Sequence, residues 1–370
     1  MGKLQLAGRV RDALRSLLPA GLNISRSSGQ SFPPIEREGL TARCHTNWPD
    51  DPEFVPQWGA LLKRNPWHTA FSSPVWQSAV VDEFVPGGEF RLVTVHRGKE
   101  LLAVLPLALN TSSMLETPGR WVTDYLDPLV DSEFAGACWS IMLDLLSKLW
   151  DWSVGGIVLH HIRGDSPIRR LLPSLVGQYK FVYEESDVQQ APYIDLPATW
   201  GAYLSTLNGR ERKELKRKIR NAQTRFGAKW QTFTTSDDCT PALERAICAM
   251  RQARSLKADF AEEILIGFLR RTCPDMIAKG DFYIQELSLE GRPAAWMLVI
   301  PSPVGPMIYN TSFEHAQRHL SPGAVAFGLA IQDAIAAGCP CFNFLRGAEA
   351  YKARFGAVDL NLIKVTIRPA

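Results

Sequence analysis

The chain has 370 residues, of which 46% are hydrophobic and 21% are charged. A chain of this length exceeds what one hydrophobic core usually organises, so we expect two domains and an extension. The net charge of +3 is too small to indicate nucleic acid as a partner, because that would need clustered positive charge. No apolar run approaches the roughly 18 residues of a membrane span, which predicts a soluble, cytoplasmic protein.

The cysteines and histidines do not indicate a metal site. Seven cysteines occur without CxxC spacing and without a neighbouring histidine cluster, so we expect reduced, mostly packed thiols. His160 and His161 are adjacent in a predicted strand, and adjacent strand residues point to opposite faces. We therefore predict that no metal is bound.

Residues 1–43 are predicted to form a basic amphipathic extension and a linker. Leu4, Val10 and Leu14 recur at helical spacing among lysines and arginines, so residues 1–25 could make peripheral contact with an anionic membrane surface. A short helix docked on the protein, or a tail, would give the same pattern. Residues 26–40 are rich in Ser, Gly and Pro and indicate a linker, so the folded body is expected to begin near Cys44.

A first domain is predicted over residues 44–197, with alternating helices and strands. Apolar spacing and turn residues indicate the following elements: a helix ending near 84, a hairpin of strands 90–96 and 101–109, a helix at 132–150, a buried strand at 157–162, a helix at 166–176 and extended segments over 181–196. The helix at 166–176 is expected to bend or break at Pro173.

A second domain is predicted over residues 198–370. Its elements are a strongly basic helix at 210–220, a strand at 229–235, helices at 241–256 and 261–273, three antiparallel strands at 282–289, 292–300 and 307–313, a helix at 324–337 and a short buried strand at 341–345. For the helix at 324–337, Ser321 is the predicted N-cap and Gly338 the predicted stop. The two domains share an order of helix, hairpin, helix and strand.

The start of that capped helix is the first candidate site. A helix N-terminus offers unpaired backbone N–H groups and a partial positive charge, both of which favour a pyrophosphate. Ser321, Gly323 and Ala324 lie at this turn, and Arg318 just upstream could add charge. A well-capped helix that binds nothing would look the same from spacing alone.

A second candidate site follows the last predicted strand, where polar residues cluster at its carboxyl end. Glu349 could act as a general base, Tyr351 as a general acid and Lys352 as an anion clamp. Solvated loop charges would give the same pattern. The sequence has no GxSxG elbow, no Walker A loop and no GxGxxG after a strand, which argues against the hydrolases and nucleotide-binding proteins that carry them.

Several segments resemble the acetyltransferase domain of cellulose-biosynthesis CelD-type proteins, a FemAB-like, tandem branch of the GNAT superfamily. The resemblance covers roughly residues 55–360 and is strongest after Gly291. The matching segments are Asn65 with Pro66, residues 74–76, Asp124 with Tyr125, the basic helix at 210–220 followed by Gly227, and residues 291–295, 309–311, 320–323, 337–338, 342–344, 346–347 and 351–356.

The resemblance implies an α/β (α+β) protein of two tandem GNAT-like domains, each a mixed, mostly antiparallel sheet flanked by helices. It implies acyl transfer from acyl-CoA, acetyl-CoA or longer, to an amine or hydroxyl of a small-molecule or saccharide acceptor, with a role in polysaccharide or cell-envelope biosynthesis. Two alternatives stay open: a non-catalytic GNAT-like scaffold in envelope assembly, and an aminoacyl-tRNA-dependent transferase.

The resemblance also suggests roles for particular residues. Ser321 and Gly323 would flank the pyrophosphate of the donor, and Tyr351 and Lys352 belong to the signature segment. The family often has an aspartate where this chain has Asn343, so a carboxylate base is excluded there, and Glu349 or a water chain would have to serve. The candidate acceptor-binding residues are Asp124, Tyr125, Asn343 and Arg346.

Overall fold

The computed structural model describes residues 32–65, 69–85, 89–150, 155–253 and 260–370. Within these ranges the chain forms a mixed α/β fold with helices packed on one large mixed sheet of 14 strands. None of the helices in the described ranges is long and apolar enough to cross a membrane. The extension predicted to contact a membrane, residues 1–25, lies outside the described residues.

The first half confirms the predicted hairpin, since its two strands pair antiparallel around a turn at Gly98. In chain order its elements are β1 (Ile35–Arg37), β2 (Leu40–His45), α1 (Phe54–Arg64), α2 (Pro74–Phe84), β3 (Phe90–Arg97), β4 (Glu100–Leu109), β5 (Met114–Glu116), β6 (Leu129–Val130), α3 (Ala135–Trp150), β7 (Gly156–Arg163), α4 (Pro167–Gln178) and β8 (Phe181–Asp195). Helix α4 continues past Pro173, where the sequence predicted a bend or break.

The folded body begins earlier than the predicted start near Cys44. Strands β1 and β2 pair with each other, and β2 pairs with β3 along its length. The turn between β1 and β2 places Glu38 and Gly39 at positive φ. A three-residue strand with two charged residues gives almost no apolar alternation, which is why its sequence is typical of a linker.

The second half confirms the three predicted antiparallel strands, which are β10, β11 and β12 below. In chain order its elements are α5 (Trp200–Thr206), α6 (Gly209–Arg225), β9 (Lys229–Phe233), α7 (Ser236–Ala253), α8 (Phe260–Ala278), β10 (Tyr283–Leu289), β11 (Arg292–Ile300), β12 (Met307–Phe313), α9 (Pro322–Ala336), β13 (Cys341–Asn343), α10 (Ala350–Ala353) and β14 (Val358–Pro369). A 3₁₀ helix, His315–Leu320, precedes α9.

The last strand ties the two halves into one sheet. The strand order is β1-β2-β3-β4-β5-β7-β14-β8-β13-β12-β11-β10-β9, with β6 paired to β4. Strand β14 lies antiparallel between β7 and β8, and the far end of β8 pairs with β13. A strand from the C-terminus therefore completes the sheet of the first half. The domain boundary at 197 stays a prediction.

The strands of the second half bury both faces. Residues 295, 297 and 299 of β11 pack with α5, α6 and α9, whereas residues 296, 298 and 300 pack with α7, α8 and α2. Helix α9 lies so close to α6 that a Cβ on Gly328 would fall 2.7 Å from Cδ1 of Ile219. This face, between α6 and α9, contains the cavity described below.

Candidate functional site

Strand β12 loses one of its neighbours soon after it begins. It pairs with β13 at Met307 and Asn343, and the Asn343 amide donates to the Pro306 carbonyl at 3.0 Å. Beyond that point residues 308–313 keep β11 as their only strand partner in the described part of the chain. A free strand edge presents unpaired N–H and C=O groups, so an extended ligand could pair with it.

A bulge lies on the same strand. The pairing of β11 with β12 shifts between Leu298 and Val299, which leaves Tyr309 as an extra residue. The Tyr309 hydroxyl donates to the Val122 carbonyl of the first half at 2.7 Å, and burial raises the pKa of this side chain well above its ordinary value. Bulges of this kind re-aim the backbone and are frequent beside active sites.

The start of α9 differs in detail from the prediction. Ser321 is not a side-chain cap: its φ of 57° and ψ of 47° are left-handed, and its side chain accepts no capping hydrogen bond. Pro322 does occupy the first turn, as predicted, and the Val325 amide is bonded to the Ser321 carbonyl at 3.2 Å. The amides of Gly323 and Ala324 therefore lie ahead of this bond, at the open end of the helix. Arg318 is exposed on the preceding 3₁₀ helix.

A cavity of about 290 Å³ lies between α6, α9, α10 and strands β11 and β12. Gly323 and Ala324 line it from the first turn of α9, and Tyr351 lines it from α10. The structure thus brings together three residues that the sequence indicated from two separate candidate sites. Ser321, Arg318 and Glu349 are not among the lining residues.

Tyr351 is suited to donate a proton. Its ring packs on Phe327 with centroids 5.3 Å apart. Burial, assisted by the charge of Glu349 and opposed by a hydrogen bond with Thr311, raises the pKa of Tyr351 to about 12. The hydroxyl therefore stays protonated near neutral pH, as a general acid must.

Lys352 does not fit its predicted role as an anion clamp. The residue is 3% exposed, and its Nζ donates to the carbonyls of Leu345, Arg346 and Gly347 at 3.2, 2.9 and 3.0 Å. An ammonium group has three N–H donors, so all of them are used within the chain. Glu349, 2.9 Å from the same Nζ, has a side chain 56% exposed. Lys352 therefore holds a loop in place.

The four candidate acceptor-binding residues contact one another instead of lining the cavity. The Arg346 guanidinium forms an ion pair with Asp124, and its backbone amide donates to the same carboxylate at 3.2 Å. The Asn343 amide group donates to the Tyr125 hydroxyl at 2.8 Å. We call these four residues the junction cluster, since it joins residues of the two halves. Its polar groups already have partners within the chain.

His161 lies beside the junction cluster, a position that was not predicted from the sequence. Its Nε2 is 3.1 Å from Nη1 of Arg346, and its Nδ1 is 3.3 Å from the Thr123 carbonyl. Burial, followed by the nearby Arg346 charge, lowers the pKa of His161 to about 3. The ring is therefore neutral and accepts a hydrogen bond from Arg346. His160 pairs instead with Glu116, at 3.1 Å.

The basic helix α6 contributes acidic residues that the sequence analysis did not single out. Glu211 and Glu214 line the cavity together with Lys218. Glu211 accepts from Arg354 at 3.0 Å, which links α6 to the segment after α10, and Glu214 lies 3.3 Å from Lys218. The spacing of Glu214 and Lys218 indicates an ion pair on the helix, but it does not indicate that these residues line a cavity. The described residues contain no group of His, Cys, Asp and Glu placed to hold a metal ion.

Comparison with known proteins finds a family model that matches part of the chain. Residues 209–353 match the model of the acetyltransferase (GNAT) domain. No curated protein matches the chain.

Solved structures with 11 to 13% identity share the fold. The structure of FemX matches at 12% identity and a TM-score of 0.60, over 85% of this chain and 96% of that one. The C-terminal domain of a putative lysylphosphatidylglycerol synthetase from Agrobacterium fabrum matches at 12% identity and a TM-score of 0.54, over 84% and 90%. L-PGS from Bacillus licheniformis matches at 13% identity and a TM-score of 0.51, over 86% and 92%.

The family match spans α6, the strands β9 to β12 and α9. It therefore includes most of the residues that line the cavity, and the free edge of β12. Residues 209–353 are therefore similar to a GNAT acetyltransferase domain, and the solved structures show that the fold is shared.

Proposed function

We propose that this protein transfers an acyl group from acyl-CoA to an amine or hydroxyl of a small-molecule or saccharide acceptor. The observation that supports this proposal best is the cavity of about 290 Å³. It begins at the backbone amides in the first turn of α9, beside the free edge of β12. Helix amides suit a diphosphate, and a strand edge suits the extended, amide-bearing arm of the cofactor. A role in polysaccharide or cell-envelope biosynthesis and a cytoplasmic location belong to the same proposal.

The chemistry needs no covalent enzyme intermediate. The nucleophile of the acceptor attacks the thioester carbonyl carbon, the carbon–sulfur bond breaks, and coenzyme A leaves as its thiol. Tyr351 is protonated and lines the cavity, so it can supply the proton that the leaving sulfur needs. Glu349 does not line the cavity, so it would take the proton that the acceptor loses through a water molecule. Positioning of the two substrates can lower the barrier by about 7 to 11 kcal/mol in favourable cases.

Gly323 provides the test. A Cβ at this position would meet only Cδ1 of Phe313, at 3.7 Å, so alanine fits without strain. Glutamate would instead place a carboxylate where the diphosphate is proposed to bind. We expect Gly323→Glu to weaken coenzyme A binding at least about tenfold, or about 1.4 kcal/mol, while Gly323→Ala stays within about threefold of wild type. Isothermal titration measures both, and equal affinities for the glutamate variant and wild type would contradict the proposal.

A second candidate is transfer from an aminoacyl-tRNA, which the outer face of α6 favours. Arg210, Lys213, Lys216 and Arg220 are exposed there and make no ion pair within the described part of the chain. If this face binds tRNA, affinity should fall steeply with salt, and reversing these charges should reduce the salt dependence. Tight coenzyme A binding with weak, salt-insensitive tRNA binding would leave acyl-CoA as the donor.

A further inference from the structure

We propose that the cavity between α6 and α9 is an acyl-chain pocket, and that the preferred donor carries a chain of about six to ten carbons rather than acetyl. The inference rests on the proposed function, because it assumes that a coenzyme A thioester binds at the start of α9. It adds the chemical class of the transferred group.

The inner wall of the cavity is apolar. Leu215 of α6, Met297 of β11, and the aromatic side chains of Phe327 and Phe355 line it, and all four are less than a tenth exposed. The charged side chains that line it are engaged in ion pairs: Arg354 with Glu211, and Lys218 with Glu214. An apolar pocket without an unpaired charge favours a hydrocarbon group over a polar one.

The cavity lies on a face of the sheet, and this separates it from the strand edge. Its floor is formed by alternate side chains of β11 and β12, including Ala295, Met297 and Thr311. The amide-bearing arm of coenzyme A needs backbone partners, which the free edge of β12 offers and a wall of side chains does not. The free edge of β12 and the apolar cavity are therefore complementary to two different parts of one acyl-CoA, its amide-bearing arm and its acyl chain.

The volume sets the chain length. A dry apolar cavity of about 150 Å³ is large enough to bind benzene, which has six carbons. The present cavity, at about 290 Å³, is close to twice that size. An acetyl group would fill only a small part of it, and the contacts of the remaining wall would be lost. Ala295, 1% exposed on the floor, is one of the small residues that leave the space open.

The first experiment compares donors. Isothermal titration of the full chain with coenzyme A, acetyl-CoA, hexanoyl-CoA and octanoyl-CoA should show affinity rising about fourfold for each added methylene that is buried. Equal affinities for acetyl-CoA and octanoyl-CoA would overturn the inference and leave the proposed function standing. If neither coenzyme A nor any of its thioesters bound, the proposed function itself would fall.

The second experiment fills the cavity. Ala295→Leu adds about three carbons to the floor, so the ratio of octanoyl-CoA to acetyl-CoA affinity should fall at least about tenfold. Ala336→Leu, on the exposed end of α9, makes the same change away from the cavity and should keep the wild-type ratio. Leu215→Trp fills the opposite wall and serves as an independent variant if Ala295→Leu lowers the melting temperature sharply. A folded filling variant with the wild-type ratio would refute the pocket.

Discussion

Three backbone carbonyls converge on the ammonium group of Lys352, and these bonds hold residues 345–347 in place. Leu345 has a strained backbone, with φ at 56°, and Gly347 has a φ of 119°, which glycine adopts readily. We predict that Lys352→Ala lowers the free energy of unfolding by about 3 kcal/mol or more, because three charge-assisted bonds are lost and the carbonyls, at least partly buried, lose this donor. Urea denaturation measures the change.

Lys213→Ala is the matched control, since Lys213 is exposed on α6 and its removal should change stability by no more than about 0.5 kcal/mol. The opposite outcome would support the predicted role of Lys352 as an anion clamp. If Lys352→Ala kept wild-type stability but lost acyl transfer, the lysine would act on the substrate and not on the loop.

His161 gives a prediction on pH. Its folded pKa is about 3, lowered by burial and by Arg346, whereas an unfolded histidine titrates near 6.5. Between these values the unfolded chain binds more protons than the folded one, so this residue makes stability fall as pH drops below about 6.5. Asp127 acts in the opposite direction over about pH 4 to 6, because burial raises its folded pKa to about 6.

The variant His161→Asn isolates the histidine contribution. Asparagine cannot titrate and tolerates the left-handed backbone, with φ at 50°, that His161 adopts. Because Asp127 is present in both proteins, its contribution cancels in the difference. Urea denaturation between pH 8 and pH 5 should show wild type losing about 1.4 kcal/mol per pH unit relative to His161→Asn below about pH 6.5. Parallel stability curves would show that His161 binds its proton equally well in the folded and unfolded chain, and would contradict the prediction.

At the scale of elements, local patterns predicted the hairpin β3–β4, the strands β10 to β12 and helix α9. In each, the alternation or helical spacing and the turn residues lie within a few positions of one another, as at Gly98 and Gly291. Strand β14 was not predicted, because its pairing partners are about two hundred residues away in sequence. Non-local pairing leaves little trace in the strand itself.

The difference between local patterns and non-local contacts also explains which site residues could be predicted from the sequence. Gly323 and Ala324 could be predicted, since a helix start has a local signature, and Tyr351 followed from its place beyond a strand. The cavity-lining residues of α6 could not be predicted, because their position depends on how closely α9 packs on that helix at Gly328. The predicted N-cap at Ser321 failed for a related reason: the preceding 3₁₀ helix turns the backbone into the left-handed region.

At the scale of the whole molecule, several connections join the halves. Strand β14 completes the sheet between β7 and β8, and the junction cluster pairs Arg346 with Asp124 and Asn343 with Tyr125. Helix α2 of the first half also packs on α8, with the rings of Trp76 and Phe268 5.0 Å apart. Separate unfolding of either half would break these contacts, so we expect the two halves to unfold together.

Gly156 offers a direct test of that coupling. It adopts a φ of 141°, and a Cβ there would lie 2.4 Å from the backbone oxygen of Ile367 on β14. Gly156→Ala should therefore lower the free energy of unfolding by about 3 kcal/mol by disturbing the β7–β14 pairing, whereas Gly177→Ala, in open space on α4, should be neutral or slightly stabilising. Hydrogen exchange should accelerate to the same extent in peptides from β3–β4 and from β10–β12. Acceleration confined to the first half would show that β14 does not couple the unfolding of the two halves.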